Sequence, residues 1–273
     1  MTAIPRVQPS ATTPTSPTLA GLQRAAASHR AVNHRWLNDF RTGALFADPT
    51  AISDFAGSYA RYSTSFPAFL RAVIDSLESP EHRELLGHNL REEGGELDDE
   101  MREELREAGI DPAKVDGISH PKLFRRFHDA VNGQSADPRA LRIGEQWRDD
   151  FLELLRTASA PAAVGALGIG TEGIVRDVYQ QILGGLENHT ALDADDYIFF
   201  TLHCLVDDQH QLDLLSIAAD LSADEAGQRE LTRGALAALD LRARYWDRMH
   251  ELAVEKRCAM LSSGPILVHG ATA

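Results

Sequence analysis

Three ionisable residues interrupt an apolar stretch of the chain. His203, Asp207 and His210 lie in YIFFTLHCLVDDQHQLDLL, residues 197–215, where most other residues are aromatic or aliphatic. At about 100° per residue of an α-helix, the three side chains fall within an arc of roughly 60°. Buried charge is costly unless it is paired or coordinates a metal. The trio therefore predicts a metal site, the alternative being a solvent-facing or hydrogen-bonded polar cluster.

The axial spacing of the trio indicates how many ions it serves. A rise of about 1.5 Å per residue separates His203 and His210 by roughly 10 Å, with Asp207 between them. Two imidazoles that far apart do not readily share one ion, whereas the carboxylate lies near both. The spacing therefore favours two metal ions.

Two further segments offer inward carboxylates. Glu172 lies in GALGIGTEGIVRDVYQQILGGL, among small and aliphatic residues; its alternative is a solvated position favoured by a helix dipole. In LLGHNLREEGGE, Glu93 shares a helix face with Leu86 and Leu90 at three- and four-residue steps. Glu92 is the competing register for Glu93.

A third histidine belongs to an apolar stripe. In SHPKLFRRFHDAV, His120 recurs with Leu123, Phe124 and Phe127 at i, i+3, i+4 and i+7, which is typical of the core face of a helix. His120 is therefore expected to face inward.

The elements that carry these residues are all expected to be helices. Apolar residues recur with helical period in nearly every long segment, and no alternating strand pattern is present. Ser79 followed by Pro80 predicts one helix start, and Ser222 with Glu225 predicts a capping box before another. Breaks are expected at Gly109 and at 132–138. The fold class is thus all-α, with about seven to nine helices.

The domain organisation follows from composition. Residues 19–262 are expected to form one domain, between a Pro/Ser/Thr-rich disordered tail at 1–18 and a C-terminal tail at 263–273. Residues 96–118 form an acidic insertion with few large apolar residues, expected to be a solvated helix and loop. That insertion is either a linker or a lid over a site.

Charge and cysteine content exclude several classes. A formal charge of −14 would repel nucleic acid. No window approaches the roughly 18 apolar residues that span a bilayer. The chain has two cysteines and no CxxC pair, so a soluble protein of the reducing cytoplasm is expected. The assembly is left open between a monomer and a homodimer.

Together, NLREEGG, HPKLFRRF, the inward Glu172 and YIFFTLHCLVDDQH resemble the ligand segments of the haem-oxygenase-like di-iron oxidases and oxygenases. These share their helical fold with pyrroloquinoline quinone synthase and thiaminase II. The resemblance extends over about residues 30–255 and implies a haem-oxygenase-like helical bundle. It also implies six metal ligands: Glu93, His120, Glu172, His203, Asp207 and His210. Some relatives add a carboxylate from an earlier helix, where Asp75 and Glu78 are the candidates.

The resemblance implies an enzyme that uses two Fe(II) ions, with O2 as co-substrate and a separate electron donor. Carboxylates and imidazoles form a harder, more oxygen-rich environment than the cysteine ligands of many zinc sites, which favours iron. The HExxH motif of one class of zinc enzymes is not present in the sequence. The implied reactions are N-oxygenation, and oxidative C–C cleavage or desaturation, of small amines or amino acids in biosynthesis. Additional pocket residues are expected among Tyr59, Tyr62, Arg176 and Tyr179.

Two other classes of function stay open from the sequence. A metal-free relative could be a cofactorless oxidase or a thiaminase-like hydrolase, and Cys204 beside His203 is the nucleophile that the hydrolase would need. A non-enzymatic helical interaction module is the other alternative. Such a module has no use for six ligand-type residues that face inward.

Overall fold

The computed structural model describes residues 17–131, 135–205 and 208–262, and all regular structure in these ranges is helical. The α-helices are α1 (Pro17–Ala27), α2 (Arg35–Arg41), α3 (Ala51–Ser63), α4 (Phe66–Ser76), α5 (Pro80–Glu93), α6 (Asp99–Glu107), α7 (His120–Val131), α8 (Pro138–Thr157), α9 (Ala160–Val164), α10 (Gly173–His189), α11 (Ile198–Leu205), α12 (Asp208–Leu221) and α13 (Glu225–Ser262). Two 3₁₀ turns lie at Ala44–Ala47 and Pro112–Lys114, and a π-helical segment, Gly165–Glu172, joins α9 to α10.

The all-α prediction is confirmed, but the predicted number of helices is too low. Among the described residues, eleven α-helices have eight residues or more, against the expected seven to nine. Some breaks are too short to interrupt the apolar period. Only Thr64 and Ser65, for example, separate α3 from α4.

Helix starts agree with the sequence at one position and differ at another. At α5, the Ser79 hydroxyl accepts a hydrogen bond from the His82 N–H at 3.3 Å, and Pro80 takes the first helical position, as predicted. At α13 the predicted cap, Ser222, is wrong. The Gly227 N–H donates instead to the Asp224 carboxylate at 2.7 Å, because the helix begins two residues later than a Ser222 cap requires.

The long helix α13 is the axis against which the other layers pack. Its 38 residues contact α8, α9 and the π-helical segment. A Cβ on Gly165 would lie 2.1 Å from the carbonyl oxygen of Leu231, so only glycine allows the two backbones to come this close. The π-helical segment is thereby pressed into the interior, with Glu172 as its last residue.

Aromatic side chains fill the space between α13 and its neighbours. Trp36 of α2 stacks on Trp246 of α13 with ring centroids 4.8 Å apart. Tyr62 of α3 stacks on Trp147 of α8 at 3.6 Å, with the planes 2° apart. Burial of such large rings dominates core stability, and one member of this cluster, Tyr62, also lines the site described below.

The acidic insertion at 96–118 is closed at its base. The Gly117 N–H donates to the Gly95 carbonyl at 2.9 Å, so the two ends of the insertion meet. Between them, α6 buries Met101 and Leu105. The closure brings the end of α5 to the start of α7, although the acidic insertion separates them in sequence. A role for the insertion as a lid stays a prediction.

Both ends of the chain were expected to be tails, and no helix was expected to span a membrane. Helix α1 begins at Pro17, within the last two residues of the expected tail, while 1–16 and 263–273 lie outside the described residues. Among the described helices, none combines the length and the low charge that crossing a bilayer demands.

The base of the insertion gives a test of how α5 and α7 are held together. Gly95→Ala is expected to lower the free energy of unfolding by more than about 2 kcal/mol. Gly95 has φ +97, and an added Cβ would lie 2.7 Å from the backbone of Ile118. Gly109→Ala is the matched control, since Gly109 also has positive φ (+80) but nothing within 4 Å of an added Cβ. It should cost only the roughly 1–2 kcal/mol of a left-handed residue. Urea denaturation measures both, and equal losses would contradict the proposed contact.

Candidate metal centre

The core of the site is a carboxylate–imidazole pair across the insertion. Glu93 is the last residue of α5 and His120 the first of α7. The Glu93 Oε1 and His120 Nδ1 atoms lie 2.9 Å apart, and both residues are buried. Polar groups buried together in this way fix each other's position, because neither has water as an alternative partner.

A second imidazole joins the pair from α11. One ligand-type atom each from Glu93, His120 and His203 lies within 4.8 Å of the other two. The His120 and His203 rings meet edge to face, with centroids 4.6 Å apart. A single ion placed among these atoms could therefore contact one carboxylate and two imidazoles.

The hydrogen bonding of His203 prepares it as a ligand. Its Nδ1 lies 2.7 Å from the Phe199 carbonyl, which can only accept, so Nδ1 carries the proton. The lone pair is therefore on Nε2, as in many metal-bound histidines. Burial, together with the neighbouring His120, lowers the pKa of His203 to about 3. The imidazole is thus neutral at neutral pH, which is the form that binds metals.

Glu93 is ionised in spite of its burial. Burial by itself would raise the pKa of its carboxyl, but the charge and hydrogen bond of His120, with His203 and His210, lower that pKa to about 2. The ionised Glu93 carboxylate and the neutral imidazole of His203 are each in the form that binds a metal cation.

Both acids of the NLREE element face inward, although the sequence offered Glu92 and Glu93 as alternatives. Glu92 Oε2 lies 2.8 Å from His210 Nε2, and Glu93 Oε1 lies 4.0 Å from His210 Nδ1. His210 of α12 therefore contacts the one acid and approaches the other. Consecutive residues of a helix point about 100° apart. Here each acid meets a different histidine: Glu92 meets His210 of α12, and Glu93 meets His120 of α7.

Glu172 closes the site from the π-helical segment. It is buried, and burial raises the pKa of its carboxyl to about 7; the charge of Glu93 adds to the rise, while His210 and Arg242 oppose it. Among the described residues it makes no hydrogen bond or ion pair. π-helical turns occur frequently at functional sites, and here the turn ends on the acid.

The remaining predicted ligand, Asp207, lies outside the described residues, as does Val206. On either side of them the chain forms α11 with His203 and α12 with His210. One continuous helix through all three residues was predicted, and the structure describes the two parts of it that carry His203 and His210. Both histidines lie near Glu93: His203 belongs to the cluster described above, and His210 Nδ1 is 4.0 Å from the Glu93 carboxylate.

A cavity adjoins the cluster, with about 370 Å³ of empty space when the adjoining open solvent is included. Its polar lining combines ligand-type residues with hydroxyls and a cation, and its apolar lining comes from the three helices α4, α10 and α11. The lining residues are Tyr62, Ser63, Phe66, Glu93, His120, Thr171, Glu172, Val175, Tyr179, Phe199, His203 and Arg242.

The expected pocket residues divide into three groups. Tyr62 and Tyr179 line the cavity, and Tyr59 lies behind them, its hydroxyl 3.2 Å from that of Tyr179. Arg176 is exposed and does not line the cavity. Viewed down a helix axis, Tyr179 is rotated by roughly 20° from Glu172 in one sense and Arg176 by roughly 40° in the other. The cavity lies on the side of Tyr179.

Sequence reasoning missed the cation of the cavity, Arg242. It is fully buried in α13, three residues after Leu239 and three before Tyr245. An arginine at a core position of an apolar stripe was the available signal. Asp213, three residues beyond His210, is also buried and was not singled out.

Other acids and the cysteine lie apart from the site. Asp75 and Glu78, the candidates for a further carboxylate, are exposed, so they do not contribute to the interior. Asp75 lies on α4 away from the buried Val73, and Glu78 lies beyond the end of that helix. Cys204 is half-buried and is not among the residues that line the cavity.

The donor set fits an iron ion. Carboxylate oxygen and imidazole nitrogen are ligands that iron accepts, and the cluster of Glu93, His120 and His203 holds them close together, with Glu93 ionised and His203 neutral. The amide of Asn89, one turn before Glu93, is buried with no hydrogen-bond partner among the described residues. An unsatisfied amide beside the acids is consistent with a polar occupant of this region.

A family of known proteins matches most of the chain, and one relative resembles it over most of its length. The family described as "Iron-containing redox enzyme" matches residues 53–243. The 4-chloro-allylglycine synthase of Streptantibioticus cattleyicolor is 25% identical over 237 residues, 86% of this chain and 83% of that protein.

Solved structures at low identity show the fold alone. A CADD-like protein of unknown function from Nostoc punctiforme aligns with a TM-score of 0.64 at 15% identity, covering 87% of this chain and 97% of that one. A domain of unknown function with a haem oxygenase-like fold, from Shewanella denitrificans, aligns with a TM-score of 0.57 at 14% identity, covering 90% and 93%. The expected haem-oxygenase-like fold is thereby confirmed.

The buried Glu172 gives a pH test on the metal-free protein. Its raised pKa means that the protonated acid stabilises the fold; this contribution is complete below pH 4.5 and is lost as the pH rises through about 7. Glu172→Gln should therefore gain stability over the wild type, by up to roughly 3 kcal/mol, as the pH rises from 4.5 to 8. Urea denaturation in EDTA measures the difference, with the exposed Glu187→Gln on α10 as control. A difference that does not change with pH would contradict this account of Glu172.

Proposed function

For a chain that belongs to the iron-containing redox enzyme family, we propose the function of a non-haem di-iron oxidase or oxygenase that uses O2 to oxidise a small amine or amino acid. The observation that carries the proposal is the buried cluster of Glu93, His120 and His203 at the cavity wall. The family match supports iron. The relative named a 4-chloro-allylglycine synthase supports an amino-acid-related substrate.

The proposed ligands fall into two groups around Glu93. Glu93, His120 and His203 would hold one iron, and His210 with Glu172 and Asp207 would hold the second. Glu92, hydrogen-bonded to His210, orients that imidazole or joins its iron. Because Glu93 approaches His210 as well as His120, it is placed to serve both ions.

When bound, the iron pair supplies electrons and Lewis acidity for the activation of O2. The chain supplies the surroundings of that reaction. His203 keeps its proton on Nδ1, directed at the Phe199 carbonyl, so that Nε2 stays available. Glu172 holds a proton at its carboxyl near neutral pH in the metal-free protein and must release it to become a ligand. Phe66, Val175 and Phe199 restrict water at the cavity wall.

The reaction is N-oxygenation, oxidative C–C cleavage or desaturation, and a separate donor supplies electrons. A small-molecule substrate, a cytoplasmic location and a biosynthetic role accompany this proposal. The hydrolase alternative has less support, because Cys204 does not line the cavity. A metal-free interaction module would leave the buried, ionised Glu93 without a purpose.

Iron stoichiometry tests the centre. Anaerobic titration with Fe(II) is expected to reach about two irons per chain, and His210→Ala should retain about one, because it removes a ligand of the second ion. His128→Ala, on the same helix as His120 but half-exposed and outside the cavity, is the control and should retain two. Retention of two irons by His210→Ala would count against the assignment.

Oxygen uptake tests the substrate class. The iron-loaded protein is expected to consume O2 faster, by about tenfold or more, when one member of a panel of aliphatic amino acids and amines is added. His203→Ala should abolish the increase, since it removes a ligand of the first ion. An oxygen electrode with mass spectrometry of the products gives the readout. Uptake that no panel member accelerates would argue against an oxidase of this substrate class.

A further inference from the structure

The side chain of Arg242 is a buried cation in an aromatic enclosure. Its guanidinium lies 5.1 Å from the Trp147 ring centroid and 5.4 Å from that of Tyr62. One of its N–H groups donates to the Tyr59 hydroxyl at 3.2 Å. Flat rings above a guanidinium leave the N–H groups at its edge to bind acceptors in its plane.

The guanidinium of Arg242 has no ion-pair partner in the part of the chain that the structure describes. Among the described residues, Arg242 forms no ion pair with any acid within 4.0 Å, although it is only 1% exposed. The hydroxyl of Tyr59 occupies one of five guanidinium N–H donors. A buried charge without a counter-ion is costly, so the native protein has a reason to place an anion beside it.

The cavity is where such an anion can reach Arg242. Arg242 lines the same cavity as the proposed iron ligands Glu93, His120 and His203. Glu172, the acid that Arg242 influences electrostatically, belongs to that ligand group. Once a metal ion takes the charge of Glu172, the charge of Arg242 stays uncompensated.

We propose that Arg242 binds the carboxylate of the substrate, and that the substrate is therefore an amino acid rather than a simple amine. This inference rests on the proposed function and narrows its substrate class. Two parallel N–H···O bonds from the guanidinium edge would hold the carboxylate. The aliphatic part of the substrate lies against Phe66, Val175 and Phe199, which line the same cavity. The anchored carboxylate then fixes which carbon or nitrogen faces the ligand cluster.

Three matched probes separate the carboxylate from the amine. L-Allylglycine has both groups, pent-4-enoate lacks the amine, and but-3-enylamine lacks the carboxylate. Isothermal titration of the iron-loaded protein under nitrogen, where no turnover occurs, measures each affinity. The metal-free protein is titrated in parallel, so that binding is read independently of iron.

The wild type is expected to bind L-allylglycine and pent-4-enoate at least about tenfold more tightly than but-3-enylamine. Arg242→Gln should weaken both carboxylates by roughly 10- to 100-fold, the range for a hydrogen bond to a charged group, without weakening the amine. Arg242→Lys, which keeps the charge but not the fork, should recover part of the affinity. Arg233→Gln, exposed on the same helix and paired with Glu230, is the control that should change nothing.

Several results would overturn the inference. One is equal binding of but-3-enylamine and L-allylglycine by the wild type, a comparison that requires no variant to fold. Others are wild-type affinity of Arg242→Gln for pent-4-enoate, and failure of the wild type to bind either carboxylate at millimolar concentration. Iron content, measured on the same samples, reports separately on the proposed di-iron centre. If the protein binds two irons but does not discriminate between the carboxylates and the amine, the role of Arg242 is rejected and the di-iron centre is not.

Discussion

The site depends on one constraint, which is that an ionised carboxylate, Glu93, lies in the interior of a helical protein. Burial opposes its charge, and imidazoles from three other helices stabilise that charge. His120 supplies a direct contact at 2.9 Å, while His203 and His210 complete the surroundings. Remove the imidazoles and the acid would be protonated or exposed. The same group of donors, held in one place by its own electrostatics, is what an iron ion would bind.

The fold is arranged to bring these donors together from distant parts of the chain. The closure between Gly95 and Gly117 turns a long insertion into a local connection, so that the end of α5 meets the start of α7. On the opposite side, close packing of Gly165 against the α13 backbone drives the π-helical segment, and with it Glu172, inward. Helix α13 thus positions an acid through one contact and presents Arg242 to the same cavity.

Much of this could be predicted from residue spacing, and the rest depends on information that spacing does not contain. The stripe of His120 with Leu123 and Phe124, and the inward direction of Glu93, follow from helical period, and all are buried. Period alone could not decide between Glu92 and Glu93, because the crowded end of α5 buries both. The prediction that Arg176 lines the pocket was wrong, because Arg176 and Tyr179 differ by about 60° around their helix and only Tyr179 faces the cavity. Arg242 was missed because its enclosure comes from α3 and α8, which are distant in sequence.

The central claim is that iron binds in the interior among these donors rather than at the acidic surface. Crystallography of the iron-loaded protein, with data collected on either side of the iron absorption edge, tests it most directly. The account predicts two anomalous peaks, one within bonding distance of Glu93, His120 and His203, and one beside His210. Peaks confined to exposed acids, or no peak among the three donors, would contradict it.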